Sequence, residues 1–187
     1  MKNENDNYSL NILTGKKHLI PIDGDKENID AFLSYHEGKK VIVVQGLGFV
    51  GAVMTLICSN ALTEEYAVIG VDLATSNTYW KIASINEGVF PVVASDPKIE
   101  EFYQKTQSKG NLLATFDSYA YSVADIIIVD INLDVLKNSD FSKTLINYDV
   151  NLKPFEKGIE TIGNNCKEDV LILVETTVPP GTCEKIA

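Results

Sequence analysis

Arginine is absent. All sixteen basic residues of the 187-residue chain are lysines, so an anion clamp here must use lysine, backbone N–H groups or a helix N-terminus, because the bidentate guanidinium fork is missing. Cysteine is scarce and scattered. Cys58, Cys166 and Cys183 do not make a disulfide framework or a zinc site, and free thiols in a reducing, cytoplasmic setting are the expectation. Two histidines, His18 and His36, cannot build a His-rich metal centre; both fall in a polar N-terminal stretch and read as solvated. No run of three basic residues occurs, and the net charge is −10. Such a surface repels nucleic-acid phosphates and anionic membranes. A continuous apolar stretch is missing from the first thirty residues, so no signal peptide is expected.

What is present is an ordinary globular mix, 45% apolar and 22% charged, on a chain long enough for one sizeable core. Residues 41–63 carry no charge and follow Lys39 and Lys40, imitating a membrane span. Gln45, Gly46, Gly48, Gly51, Ser59 and Asn60 interrupt them, and the first six residues have the β-branched character of a strand.

Residues 1–40 are rich in Asn, Asp and Lys and read as an N-terminal extension, ordered in part, with a turn at Asp23-Gly24-Asp25 and a short helix from Glu27 to Tyr35. From Val41 onward apolar strands alternate with amphipathic stretches. Strands are expected at 41–46, 67–72, 112–116, 125–131 and 170–177, the last two fully buried. Helices are expected at 49–62, 77–86, 97–108 and 152–164, with Asp96 as the N-cap of the third. Strands apolar on both faces and separated by helices specify an α/β, Rossmann-like, doubly wound and mainly parallel sheet with helices on both faces. The polar run 132–151 reads as a surface loop or insertion.

Gly46-Leu47-Gly48-Phe49-Val50-Gly51 is a G-x-G-x-x-G sequence. Alone the pattern is weak, but here it follows a strand and opens a helix. Gly46 then makes the tight turn, Gly48 admits a pyrophosphate to the backbone, and Gly51 lets helix and strand pack closely. The helix N-terminus supplies N–H groups and partial positive charge. Asp72, 21 residues past Gly51, ends the next strand, where a carboxylate accepts from ribose hydroxyls and repels a 2′-phosphate. Leu73 and Ala74, which follow, offer no cation, so NAD is favoured over NADP.

Catalytic candidates are poor. Cys58 lies on an apolar helix, and neither Cys166 nor Cys183 has a histidine near it in sequence. Glu175 and Asp130 stand at strand positions where α/β sheets place functional groups, although structural roles suit them as well. The expected set is therefore no catalytic residue, no metal ligand, and Gly46 to Gly51 with Asp72 for the cofactor.

Several segments together resemble the UDP-glucose/GDP-mannose dehydrogenase family, which includes UDP-N-acetylmannosamine dehydrogenases. They are GLGFVG (46–51), VIGVD (68–72), Asn86-Glu87-Gly88 with Pro91 and Asp96-Pro97, Leu113-Ala114-Thr115 with Asp117, and Glu175-Thr176-Thr177-Val178-Pro179-Pro180-Gly181-Thr182. The last is close to the family's E-S-T-x-P-x-G-T run. The resemblance covers 41–187 and leaves 1–40 outside it. It implies an NAD-binding domain of an enzyme that oxidises the 6-hydroxyl of a UDP-sugar to a carboxylate with two NAD+, through a thioester on a cysteine. None of the three cysteines matches that position, so the chain is expected to be inactive alone, as a fragment of a longer enzyme. The resemblance adds Thr115 and Thr177 as residues lining the dinucleotide cleft. It implies a nucleotide-sugar substrate and, where the family's dimer helix is missing, weak self-association into a homo-oligomer. Leu133-Asp134 replaces the family's Thr-Pro, and the stretch from Asp72 to Asn86 is longer than usual. These departures, with the extension, motivate the alternative of a non-catalytic dinucleotide- or nucleotide-sugar-sensing module.

Overall fold

The computed structural model describes residues 7–133, 135–139, 141–142 and 145–186. Five parallel strands, β3 (Lys40–Gln45), β4 (Tyr66–Val71), β5 (Leu112–Thr115), β6 (Ile126–Val129) and β9 (Leu171–Val174), form one sheet in the spatial order β5-β4-β3-β6-β9. The chain winds outward from β3 to one edge and then crosses to the other, which makes β3 the central strand and the β3–β6 boundary the topological switch point. This is the doubly wound sheet that the apolar strands specify.

Alternation along each strand divides the core. Val41, Val43, Ala67, Ile69, Val71, Ile127 and Val129 face one layer, where they meet Ala120 and Tyr121 of α5 (Tyr119–Ser122) and Phe155 and Ile162 of α6 (Lys153–Asn165). Ile42, Val44, Val68 and Ile128 face the other, against Met54 and Cys58 of α2 (Phe49–Ser59). On that second side Ile82 and Ile85 of α3 (Tyr79–Asn86) close over Leu47 and Ala114. Helix α4 (Pro97–Lys109) starts as its sequence requires, with the Asp96 carboxylate accepting the Lys98 N–H at 2.9 Å, and it ends on Gly110 in left-handed backbone. Asn86 protects the β5 edge: its side-chain amide donates to the Ala114 carbonyl at 2.7 Å and accepts the Ala114 N–H at 2.9 Å. The outer strand thus gains a side-chain partner in place of a neighbour.

Three expectations need correction, and the extension gains detail. Of the extension, residues 7–36 pack against the rest of the domain. The hairpin β1 (Tyr8–Leu10) and β2 (Lys17–Leu19) turns on Asn11, whose side-chain oxygen Oδ1 accepts the N–H groups of Leu13 and Thr14. It is tied to α3 by Ser9 and Asn11, and α1 (Lys26–Tyr35) buries Ile29 completely in the main core. His18 and His36 are therefore buried rather than solvated. His36 shares a hydrogen bond with the Gly110 carbonyl at 2.9 Å, and His18 lies 3.6 Å from Glu87. Their polar sequence neighbours concealed a packed surface. Of the two alternatives for the run 132–151, a surface loop or an insertion, the described residues show an antiparallel hairpin, β7 (Val135–Ser139) with β8 (Leu145–Val150), which overturns the loop and agrees with the insertion; Asp134 lies outside the described residues. Finally, β9 is not buried. It is a sheet edge whose four residues, Leu171 to Val174, are 37–52% exposed. An apolar run cannot distinguish a covered strand from an uncovered one.

Candidate functional site

Register places the chemistry-bearing residues in one row. Gln45 is level with Val71 and Val129, and Val129 with Val174. The residues that follow these strand ends, Asp72, Gly46, Asp130 and Glu175, therefore stand side by side along the carboxyl edge of four adjacent strands, about 4.8 Å per strand. This edge is where open α/β sheets bind ligands.

The loop needs its glycines for separate reasons. Gly46 has φ +98°, and a Cβ on it would strike the Asp130 carbonyl oxygen. A Cβ on Gly51 would collide with the Gly46 carbonyl oxygen, so the first turn of α2 can lie against the loop only with glycine there. Gly48 caps α2 in extended backbone and meets no atom within 4 Å on its Cβ side. No side chain caps this helix. The result is an open cradle of main-chain N–H groups with the helix's partial positive charge behind it. Leu47 is 1% exposed and anchors the loop in the core, whereas Phe49 and Val50 stand exposed at its mouth.

Asp72 is a well-held carboxylate. Its Oδ2 accepts the Leu47 N–H at 3.2 Å and the Lys81 ammonium at 2.9 Å, and its Oδ1 accepts the Leu73 N–H at 2.8 Å. The acid is thus bonded directly to the glycine loop. Lys81 is the residue that a reading of Leu73 and Ala74 alone overlooks: a cation is present beside Asp72, delivered by α3 from nine positions further on. The available signal was its place as the single basic residue on the helix after the acid-bearing strand.

The two threonines are not brought to the loop alike. Thr115 is fully buried; its hydroxyl donates to the Asp25 carboxylate at 2.6 Å and accepts the Asp117 N–H at 3.2 Å. The start of α1 covers it, so its side chain does not face open space. Thr177 is exposed beyond the end of β9, while its neighbour Thr176 is buried, donating to the Val129 carbonyl at 3.2 Å and accepting the Ile131 N–H at 2.8 Å. Thr176 thereby fixes the crossing between β6 and β9, a role the run of two threonines did not reveal.

The cysteines stay apart from one another and from the histidines' hydrogen bonds. Burial pushes the Cys58 thiol up to about 11, the opposite of an activated nucleophile, with the charge of Glu175 adding to the effect. Cys166 is half-buried and Cys183 exposed. Among the described residues no three His, Cys, Asp or Glu side chains are grouped to hold a metal ion, and no helix is long and apolar enough to cross a membrane.

Residues 40–187 match the model of the UDP-glucose/GDP-mannose dehydrogenase family, NAD binding domain. The chain belongs to this family. It is 26% identical over 146 residues to UDP-N-acetyl-D-mannosamine dehydrogenase of Pyrococcus horikoshii, a match covering 78% of this chain and 30% of that protein. Among solved structures, GDP-mannose dehydrogenase from Pseudomonas aeruginosa superposes with TM-score 0.60 at 29% identity, over 78% of this chain and 30% of the other. The NDP-N-acetyl-D-galactosaminuronic acid dehydrogenase from Methanosarcina mazei Go1 has the same fold, with TM-score 0.68 at 24% identity over 84% of this chain and 32% of that one. The chain therefore spans about a third of the length of these relatives. Its cofactor is NAD. The open cradle over Gly48 and the uncapped start of α2 fit the dinucleotide's pyrophosphate, and the Asp72 carboxylate fits a hydroxyl-bearing ribose.

Proposed function

We propose that this domain holds NAD for the oxidation of a nucleotide sugar, of the UDP-glucose or UDP-N-acetylmannosamine type, to the corresponding uronic acid. The observation that carries this reading is the bonded unit of glycine loop and Asp72 at the switch point of the sheet. Main-chain amides of Gly48 to Gly51 bind the pyrophosphate, and α2 supplies the field that an arginine would supply elsewhere. Asp72 orients the adenosine ribose, and its pairing with Lys81 fixes the carboxylate's direction. Thr177 lines the outer end of the cleft. Bound NAD+ accepts the hydride released when an alcohol carbon is oxidised, and the full conversion to a carboxylate consumes two equivalents.

Acid–base and nucleophilic chemistry is not assigned to this stretch. Cys58 is a half-buried thiol with its proton retained, and among the described residues neither Cys166 nor Cys183 has a basic partner. The domain is accordingly inactive by itself and works as the cofactor-holding part of a cytoplasmic enzyme, with residues 1–40 as an appendage to the dinucleotide-binding unit 41–187.

The test is a fluorescence titration with NADH, alongside NADPH and an Asp72→Ala variant. Saturable NADH binding is expected, with NADPH clearly weaker and the variant at least tenfold weaker. A folded chain that leaves millimolar NADH unbound would overturn the reading and favour a protein that senses or contacts some other partner.

A further inference from the structure

Two aspartates flank the glycine loop, and they are treated differently. Asp72, on the β4 side, receives two main-chain N–H groups and an ammonium. Asp130, on the β6 side, has its Oδ2 fully buried and without a hydrogen-bond partner. That oxygen points at the first turn of α2: it lies 3.4 Å from where a Cβ on Gly51 would sit. The backbone of Asp130 is fixed, since its N–H donates to the Gln45 carbonyl at 2.8 Å and its carbonyl oxygen abuts Gly46.

The surroundings work against the charged form. Burial raises the proton affinity of Asp130, and the negative charge of Glu175, one strand further along the same row, raises it again. The glycine loop and first turn of α2 carry no ionisable side chain, β3 ends in Gln45, and the β9 side presents Glu175 followed by two threonines. The cation at this edge, Lys81, is committed to Asp72.

We infer that Asp130 makes dinucleotide binding proton-linked: the ionised carboxylate competes with the ligand's pyrophosphate for the field of the α2 N-terminus, and the site accepts NAD with Asp130 protonated. This rests on the cofactor reading above. One proton is taken up from solvent by the Asp130 carboxylate as the dianionic pyrophosphate enters, and no covalent bond changes. Asp130 is a positioning residue for charge and not a catalytic one.

The experiment is a calorimetric titration of NAD+ into the whole chain from about pH 4, the ordinary carboxylate value, to about pH 8, in two buffers of different ionisation enthalpy, with Asp130→Asn and Glu175→Gln variants and thermal melts to verify folding. For the unaltered chain the dissociation constant is expected to weaken at least fivefold across this range, with up to one proton taken up per ligand bound. Asp130→Asn keeps the shape but has no charge. It should bind within twofold at all pH values, take up no proton, and exceed the unaltered chain at pH 8.0. Glu175→Gln should move the pH midpoint of the effect downward by relieving Asp130. A pH dependence that persists in Asp130→Asn would place its origin in other groups and overturn the inference. Equal, pH-independent affinity in all three proteins would overturn it too while leaving the cofactor reading intact. Failure of every folded protein to bind NAD+ at any pH would remove the cofactor reading and this inference together.

Discussion

At the residue scale, the carboxyl edge of this sheet is organised by where charge can be neutralised. Asp72 sits at the end of β4 with three donors, while Asp130 sits two strands away with a buried oxygen facing none. The contrast has a consequence for stability that needs no ligand. A carboxyl whose proton is held more tightly in the fold than in the unfolded chain favours the native state while both forms are protonated. That contribution is lost as pH rises from the unfolded value, near 4, through the raised folded value. Asp130→Asn should therefore match the unaltered chain in urea unfolding below about pH 4 and become more stable than it as pH rises through the raised folded value, the difference levelling off above that value. Identical stability across that range would show that the Asp130 charge is relieved in solution. The sequence makes Asp72 legible because a strand-end acid after a glycine fingerprint has a mechanism attached to it. Asp130 has the same strand-end position, but its lack of a partner depends on which side chains its neighbours happen to send toward it.

At the element scale, the strands of the sheet and the helices between them were readable because each has a period, a cap or a stop. VIVVQ ends in glycine, Asp96-Pro97 opens α4, and Gly110 closes it. The N-terminal segment was not readable in the same way. Its few apolar residues are spaced by polar ones that turn out to be partners: Ser9 for Trp80, Asn11 for Ser84, Asp25 for Thr115, and Asp30 for Tyr119. Hydrogen bonds to residues 71 to 90 positions away leave no local pattern. Asp25, the residue that precedes α1, pairs with Thr115 of the edge strand β5, and the Asp25 N–H donates in turn to Asp117 at 2.7 Å. Asp25→Ala leaves the buried Thr115 hydroxyl proton without its acceptor, although the oxygen still accepts from the Asp117 N–H, so unfolding free energy should fall by about 1–3 kcal/mol. Thr115→Val should cost less in the Asp25→Ala background than alone, and a double-mutant cycle with no coupling would mean that the segment is held by its apolar contacts, Ile29 foremost.

At the scale of the whole molecule, two properties oppose each other. A net charge of −10 keeps copies apart, whereas β9 presents four consecutive apolar residues and an open row of main-chain groups along one side of the sheet. An uncovered, uncharged strand edge is a template for pairing with another strand, and here the ready partner is the same edge of a second copy. The repulsion acts through solvent and is screened within about 8–10 Å at physiological salt; the apolar contact is not. Self-association of the 187-residue chain should therefore grow with ionic strength, the reverse of an assembly held by ion pairs. Sedimentation velocity at about 0.05 M and 0.5 M salt is expected to show monomer giving way to dimer as salt rises. Leu173→Lys, which places a charge in the middle of the exposed row without touching the core on either face, should hold the protein monomeric at both. A dimer that is insensitive to this substitution, or that dissociates as salt rises, would locate the contact elsewhere and leave the β9 edge to be covered by a different chain segment.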